Sequence, residues 1–297
     1  MNDIITVRNL NKKFRSRKWG NTQALSGLSF SVKPGQIIGV IGPNGAGKTT
    51  MLKSLLGLTR YDGEVEICGL SPRKKPKEIL KHVCFIADVA ILPKWLSAGQ
   101  AIEFVDAIHP KFNRRKAQFF LEKTQIKSKQ LIGKLSRGMI VQLHLALIMA
   151  IDVDVLVLDE PTLGLDILYR KQLYDALLHD YYNQQRTIII ATHQIDEIEN
   201  ILTDVMIINQ GQLVLYHSVE DLENVYSLIT AKPNQAEALC GMHPLYHYKD
   251  LKGEHFLFKG KSPLELEAYG TCKRASISDI YLAEIRSTPH ESMAETC

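Results

Sequence analysis

The sequence predicts an α/β fold with a mostly parallel central sheet, on three observations. The run Ile37-Ile38-Gly39-Val40-Ile41 is apolar at every position rather than alternating, as suits a strand covered on both faces. Residues 153–158 and 187–191 also read as strands, with apolar runs from Val155 and from Ile188. Helical patterns at 48–58, 168–182 and 195–202 separate or follow these runs, so the chain alternates as βαβ units do. Ahead of them, residues 4–8, 28–32 and 64–67 read as short strands between Gly, Asn and Pro turns, an antiparallel N-terminal β subdomain.

Residues 89–151 change character. Segments 96–108, 113–124 and 138–151 carry apolar residues at three- and four-residue steps, which predicts a helical insert hung on the sheet domain. From residue 226 the pattern turns to weak strands and two short helices, a small α+β appendage. From Thr288 onward little apolar content remains, and the tail is expected to fray. The expected division is therefore a main domain over 1–225 and an appendage over 226–297.

A chain of 297 residues with 45% apolar content is long enough for one large core and this appendage. Its 36 basic and 32 acidic residues leave a net charge of only +4, so no global field marks a nucleic-acid binder. Basic clusters at residues 12–18 and 73–77 read first as solvated surface turns, with contact to anionic lipid as the alternative. Cys68, Cys84, Cys240, Cys272 and Cys297 form no C-x-x-C pair and have no histidine set nearby in the sequence. That argues against a zinc site or a disulfide framework and suits a reducing cytosol. No stretch approaches the ~18–20 apolar residues of a membrane span. Residues 1–14 are not expected to form a signal peptide. If the protein works on a membrane, another chain is expected to span it.

Two motifs carry chemistry. Gly42, Pro43, Asn44, Gly45, Ala46, Gly47, Lys48 and Thr49 fit G-x-x-x-x-G-K-[ST] at every fixed position, directly after a buried strand and at the opening of a helix, with Thr50 next in line. Glycines let the backbone wrap so that successive N–H groups point inward, and the helix N-terminus adds the positive end of its dipole. Lys48 supplies a mobile cation for the β- and γ-phosphates, and the Thr49 hydroxyl can ligate Mg²⁺. The second motif, Leu156-Val157-Leu158-Asp159-Glu160, delivers two adjacent carboxylates from the carboxyl end of a buried strand. Asp159 is placed to hold Mg²⁺ through its water shell, and Glu160 to orient and deprotonate the attacking water. Together the two motifs establish a P-loop NTPase core.

More motifs resemble the ABC ATPase family, over roughly residues 4–220. Leu135-Ser136-Arg137-Gly138-Met139 looks like the signature, usually Leu-Ser-Gly-Gly-Gln. Glu160-Pro161-Thr162-Leu163-Gly164-Leu165-Asp166 resembles the segment leading into the D-loop, and Thr192-His193 the switch histidine. Phe14 stands where the family places an aromatic on adenine. The resemblance implies a head-to-tail pair, a homodimer or a heterodimer with a second ABC ATPase, that traps two ATP molecules. Ser136 and the Gly138 N–H of one subunit would donate to the γ-phosphate held by the other. His193 would contact the same phosphate, and Asp166 would tie the halves together. It further implies an integral membrane permease as partner, no nucleic acid, and a cytoplasmic place on the inner face of the cell membrane. A soluble ABC ATPase acting on DNA or ribosomes would be expected to carry long coiled-coil insertions or two cassettes. A non-hydrolysing regulatory subunit is disfavoured by Glu160.

The sequence departs from the family pattern in two places. Arg137 and Met139 replace glycine and glutamine in the signature, and the basic residue resembles a subgroup of bacterial exporter ATPases. Asp88, closing His82-Val83-Cys84-Phe85-Ile86-Ala87, stands where the family's Q-loop glutamine meets Mg²⁺ and water. Beyond it, Leu92 and Trp95 either meet a cytoplasmic helix of the permease or pack inside the insert. A carboxylate at position 88 can still bind the ion but adds negative charge near the γ-phosphate. An Asp88→Gln variant is therefore expected to change the Mg²⁺ dependence of hydrolysis without abolishing it. A wild-type metal titration would refute that reading.

Overall fold

The computed structural model describes residues 3–16, 20–87, 92–163, 165–182 and 186–286. Asp88, Gly164 and the tail expected to fray lie outside the described residues.

The chain opens with β1 (Ile5–Ser16) and β2 (Gly20–Val32), an antiparallel pair longer than the sequence predicts at 4–8 and 28–32. Next come β3 (Ile37–Ile41), α1 (Lys48–Leu55), β4 (Asp62–Ile67), the single turn α2 (Pro76–Ile79) and β5 (Val83–Ala87). The middle of the chain gives α3 (Ala98–Ile108), α4 (Arg114–Glu122) and α5 (Arg137–Met149). It then returns to the sheet with β6 (Val155–Asp159), α6 (Ile167–Ala176) and β7 (Thr187–Thr192). Further on lie β8 (Asp204–Asn209), β9 (Gln212–Ser218), α7 (Val219–Val225) and β10 (Tyr226–Ala231). The last elements are α8 (Ala236–Cys240), β11 (Tyr246–Asp250), β12 (Gly253–Lys259), α9 (Pro263–Leu266), β13 (Gly270–Arg274) and α10 (Ile277–Arg286).

The central sheet is six-stranded in the order β5-β6-β7-β3-β8-β9, parallel except for the edge strand β9. Its inner strands are buried at every residue in β3, β6 and β7, which is why their sequences do not alternate. One face packs Ile41, Leu156, Leu158, Ile188 and Ile190 against Leu173, Tyr174 and Tyr181. The other packs Ile38, Val40, Val155, Val157 and Ile189 against Met51, Leu52 and Leu55 of α1 and the strands of the three-stranded antiparallel sheet β2-β1-β4. The mostly parallel sheet and the antiparallel N-terminal strands are those the sequence predicts.

Helices α3, α4 and α5 enclose a separate apolar cluster around Ala101, Ile102, Leu121 and Leu143. Their starts are written locally. Ser97, Asn113 and Ser136 each accept a backbone N–H three residues on, and Ser97 with Gln100 completes a capping box.

Strands β10 to β13 form a four-stranded sheet in the order β11-β12-β10-β13, with its own cluster of Ile229, Leu239, Phe256, Phe258 and Leu266. Its other contributors, Leu228, Leu257, Ile277 and Ile280, join the core under the central sheet. Where the sequence predicts a helix over 195–202, the chain makes two 3₁₀ turns, Ile195–Glu197 and Glu199–Ile201. The reason is long-range. The Ile277 N–H donates to Glu199 at 2.8 Å and Ser278 Oγ donates to Asp196 at 2.6 Å, so side chains from this segment cap α10.

Candidate functional site

Parallel strands place their carboxyl ends together, and register fixes which residues meet. Ile41 of β3 pairs with Thr192 of β7, and Ala191 of β7 pairs with Asp159 of β6. Because β7 lies between β3 and β6, the glycine-rich loop after β3 and the acidic pair after β6 flank Thr192 and His193.

Loop 42–49 bends where the sequence predicts. Gly47, the N-cap of α1, has φ 109°, a conformation that a side chain would strain. Residues 43–50, with Ala24 and Glu160, line a cleft of about 220 Å³. Lys48 is only 6% exposed, and its ammonium donates back to the carbonyls of Gly42 (2.7 Å) and Pro43 (3.3 Å). It also lies 3.8 Å from Glu160 Oε1. Burial lowers the pKa of Lys48, while Glu160 and then Asp159 pull it back up. The Thr49 hydroxyl donates to Asp159 Oδ1 at 3.0 Å. Asp159 is itself buried, and that burial raises its pKa against the hydrogen bond from Thr49. A hydroxyl and a carboxylate thus converge in a place poor in water, a donor set that fits Mg²⁺.

Glu160 turns the chain at the end of β6 with φ 49°, a rare value for a residue with a side chain. Its N–H is held by the Ala191 carbonyl at 2.8 Å. The carboxylate then receives three neighbours: Lys48, the Thr192 hydroxyl at 3.4 Å and His193 Nδ1 at 2.9 Å. Thr49, Lys48, Asp159, Glu160 and His193 are therefore brought together as the sequence predicts.

Other predicted residues stand apart. Ser136 caps α5, its Oγ accepting the Met139 N–H at 3.3 Å, and neither it nor Gly138 lines the cleft. Gly138 is buried under the Tyr169 ring of α6, so closely that a Cβ would clash. Asp166 caps α6 through the Tyr169 N–H at 3.1 Å. Phe14 lies on β1, 47% exposed, with the Lys12 ammonium 4.6 Å from its ring centre. Leu92 packs against the helical cluster, whereas Trp95 is largely exposed.

Sequence reasoning missed three features here. Ala24 closes one side of the cleft from β2, a small residue with no motif around it. Thr192 adds a hydroxyl to Glu160. Arg170 bonds the Leu165 carbonyl (2.7 Å), Gln194 (2.8 Å) and Glu197, while Glu197 accepts the Thr162 hydroxyl at 3.1 Å. This web joins the D-loop segment to the strand end bearing His193, and only the separated charges at 170 and 197 could have hinted at it.

The sequence pattern of the ABC transporter family matches residues 25–163. The chain is 35% identical to a bacitracin transport ATP-binding protein of Bacillus licheniformis, over 72% of this chain and 69% of that one. It is 34% identical to Nod factor export ATP-binding protein I of Burkholderia lata, over 71% and 69%. Among solved structures it is similar to cbiO1 of Clostridium perfringens, part of an ABC transporter complex, with TM-score 0.62 and 25% identity over 75% of this chain and 91% of that one. The dimeric form of another cassette, bound to ADP and Pi, shares the fold at TM-score 0.62 and 20% identity, over 72% and 98%. With this nucleotide cleft and these relatives, the chain belongs to the ABC transporter family, among its ATP-binding subunits.

Proposed function

We propose that this chain hydrolyses ATP in the cleft of loop 42–49 and, paired with a second ABC ATPase, drives a separate integral membrane permease from the cytoplasmic face. The observation that carries the proposal is the convergence of Lys48, Thr49, Asp159, Glu160 and His193 at one crevice. Phosphate oxygens are to be bound by the N–H groups of loop 42–49 and by Lys48, whose burial strengthens its attraction for an anion. Thr49 and Asp159 would hold Mg²⁺, which supplies positive charge against the β- and γ-oxygens.

Glu160 contacts both Lys48 (3.8 Å) and His193 Nδ1 (2.9 Å). A γ-phosphate entering the cleft would compete with Glu160 for Lys48 and His193 and leave Glu160 to orient a water. That water attacks phosphorus as its proton passes to Glu160, and the bond to the β-phosphate oxygen breaks to leave ADP. The position of Ser136 and Gly138 outside the cleft supports a head-to-tail pair, in which the start of α5 of one copy faces the nucleotide of the other. Closure with ATP and loosening after hydrolysis is then a population shift biased by ligand. Phe14 is assigned to the adenine ring.

We assign residues 1–225 to the ATPase domain and 226–297 to an appendage. The bonds from Glu199 and Asp196 to α10 support a role for it in steadying the segment after His193. Among the described residues no helix is long and apolar enough to cross a membrane, which supports a separate permease. The relative named for Nod factor export favours an exporter.

Glu160→Gln is expected to retain ATP and trap the closed pair while turnover falls ~10²–10⁴-fold; unchanged turnover would show that another group is the base. A second expectation follows from Asp159. Its contribution to stability is full below the ordinary value of 3.8 and is lost as pH rises through its raised folded value, so at neutral pH the ionised group is a burden. Asp159→Asn should raise the thermal midpoint of the nucleotide-free protein at pH 7 and remove Mg²⁺-dependent turnover. A lower midpoint with normal turnover would contradict both assignments.

A further inference from the structure

At the amino ends of β5 and β6, the opposite end of the strands from the cleft, the fold brings together three side chains that lie far apart in the sequence. Cys68 Sγ, His82 Nδ1 and an Asp154 carboxylate oxygen all lie within 4.8 Å of one another. We propose that they form a binding site for a divalent transition metal, of which zinc suits the donor set best, distinct from the Mg²⁺ position in the nucleotide cleft. Thiolate and imidazole donors select zinc over magnesium or calcium, and three protein ligands leave a position for water.

The backbone holds all three residues in place. His82 and Asp154 stand just before β5 and β6, and the His82 carbonyl accepts the N–H groups of Asp154 (3.0 Å) and Val155 (2.9 Å). The Asp154 carbonyl in turn accepts the Thr187 N–H at 2.9 Å. Cys68 ends β4 in a tight turn closed by mutual bonds between Ile67 and Leu70, and its own N–H is tied to the Ile4 carbonyl at 2.7 Å. It has φ 51°, in the left-handed region that a cysteine seldom adopts, so the turn holds this thiol in a conformation it would not choose alone.

His82 Nδ1 lies 2.7 Å from Asp154 Oδ2, and Lys111 Nζ approaches the same oxygen at 3.4 Å. Both of these partners approach Oδ2, and among the described residues Oδ1 is left as a further donor atom. Lys111 is half-exposed on a flexible stem and can retreat to water as the metal takes its place. Binding replaces the thiol proton with the metal and releases it to solvent, while His82 ligates as neutral imidazole with its proton on Nε2. The Cys68 thiolate and Asp154 carboxylate then balance the 2+ charge.

Along β6, Asp154 and Asp159 are five residues apart, about 16 Å at ~3.3 Å per residue. A metal here would not touch the phosphates. It would pin β4 of the antiparallel sheet to the roots of β5 and β6, the strands that lead to Asp88 and to Asp159–Glu160. Sequence spacing concealed the site, because its ligands at 68, 82 and 154 form no local motif.

The test titrates the full-length, reduced, nucleotide-free protein with Co²⁺ in excess Mg²⁺. One equivalent should give a thiolate-to-cobalt charge-transfer band, bleached by one equivalent of Zn²⁺. Cys68→Ser and Cys68→Ala should both lose the band while retaining basal ATPase activity, which reports an intact fold. Asp154→Asn and His82→Gln should each weaken Co²⁺ binding by at least the ~10–100-fold that loss of an outer-shell partner costs. A wild-type protein with no band at micromolar Co²⁺, or a band that survives in both Cys68 variants, overturns the proposal.

Discussion

Lys48 carries an ammonium group into a part of the protein where burial penalises charge. The chain answers that charge incompletely, with two loop carbonyls and a carboxylate nearly 4 Å away. A polyphosphate completes the arrangement, since it brings the negative charge that the cation lacks and exchanges weak partners for strong ones. The rest of the site depends on this mismatch. Glu160 lies 3.8 Å from Lys48, and the same carboxylate reaches His193. In the proposed mechanism an entering phosphate would change the partners of both groups at once, so that binding and activation of the base would be one event.

Such a crevice needs strand ends that meet in register, and the order of the central sheet provides them. With β7 between β3 and β6, the loop, the acidic pair and His193 issue from adjacent strands whose every residue is buried. The helical layer and the four-stranded sheet then attach to what these strands do. Gly138 lies under Tyr169 of α6, which joins the start of the signature helix to the D-loop. Arg170 joins that loop to the segment after β7, and α10 rests on the turns that follow.

Much of this was legible in the sequence because the signals are local. The unbroken apolar runs at 37–41 and 188–191 appear as strands at almost the same bounds, since a strand covered on both faces has no polar side to blur its pattern. Loop 42–49 and Asp159–Glu160 could be read because their chemistry requires fixed spacing. What the sequence hid depends on distant partners. The isoleucines at 195, 198 and 201 step like a helix, yet their segment forms 3₁₀ turns because Asp196 and Glu199 cap a helix some eighty residues further on. The pairing of β1 with β2 beyond residue 8 continues through polar residues that carry no apolar alternation. The grouping of Cys68, His82 and Asp154 arises only when the ends of β4, β5 and β6 meet.

The central claim is that this cleft binds polyphosphate through the buried cation. Equilibrium binding of labelled ATP, ADP and adenosine to the full chain and to Lys48→Ala tests it most directly. The account predicts that the wild-type protein retains both nucleotides but not adenosine, and that Lys48→Ala loses ATP affinity by at least ~10-fold with ATP falling further than ADP. Equal affinity of the two proteins for ATP, or retention of adenosine as tight as that of ATP, would contradict it.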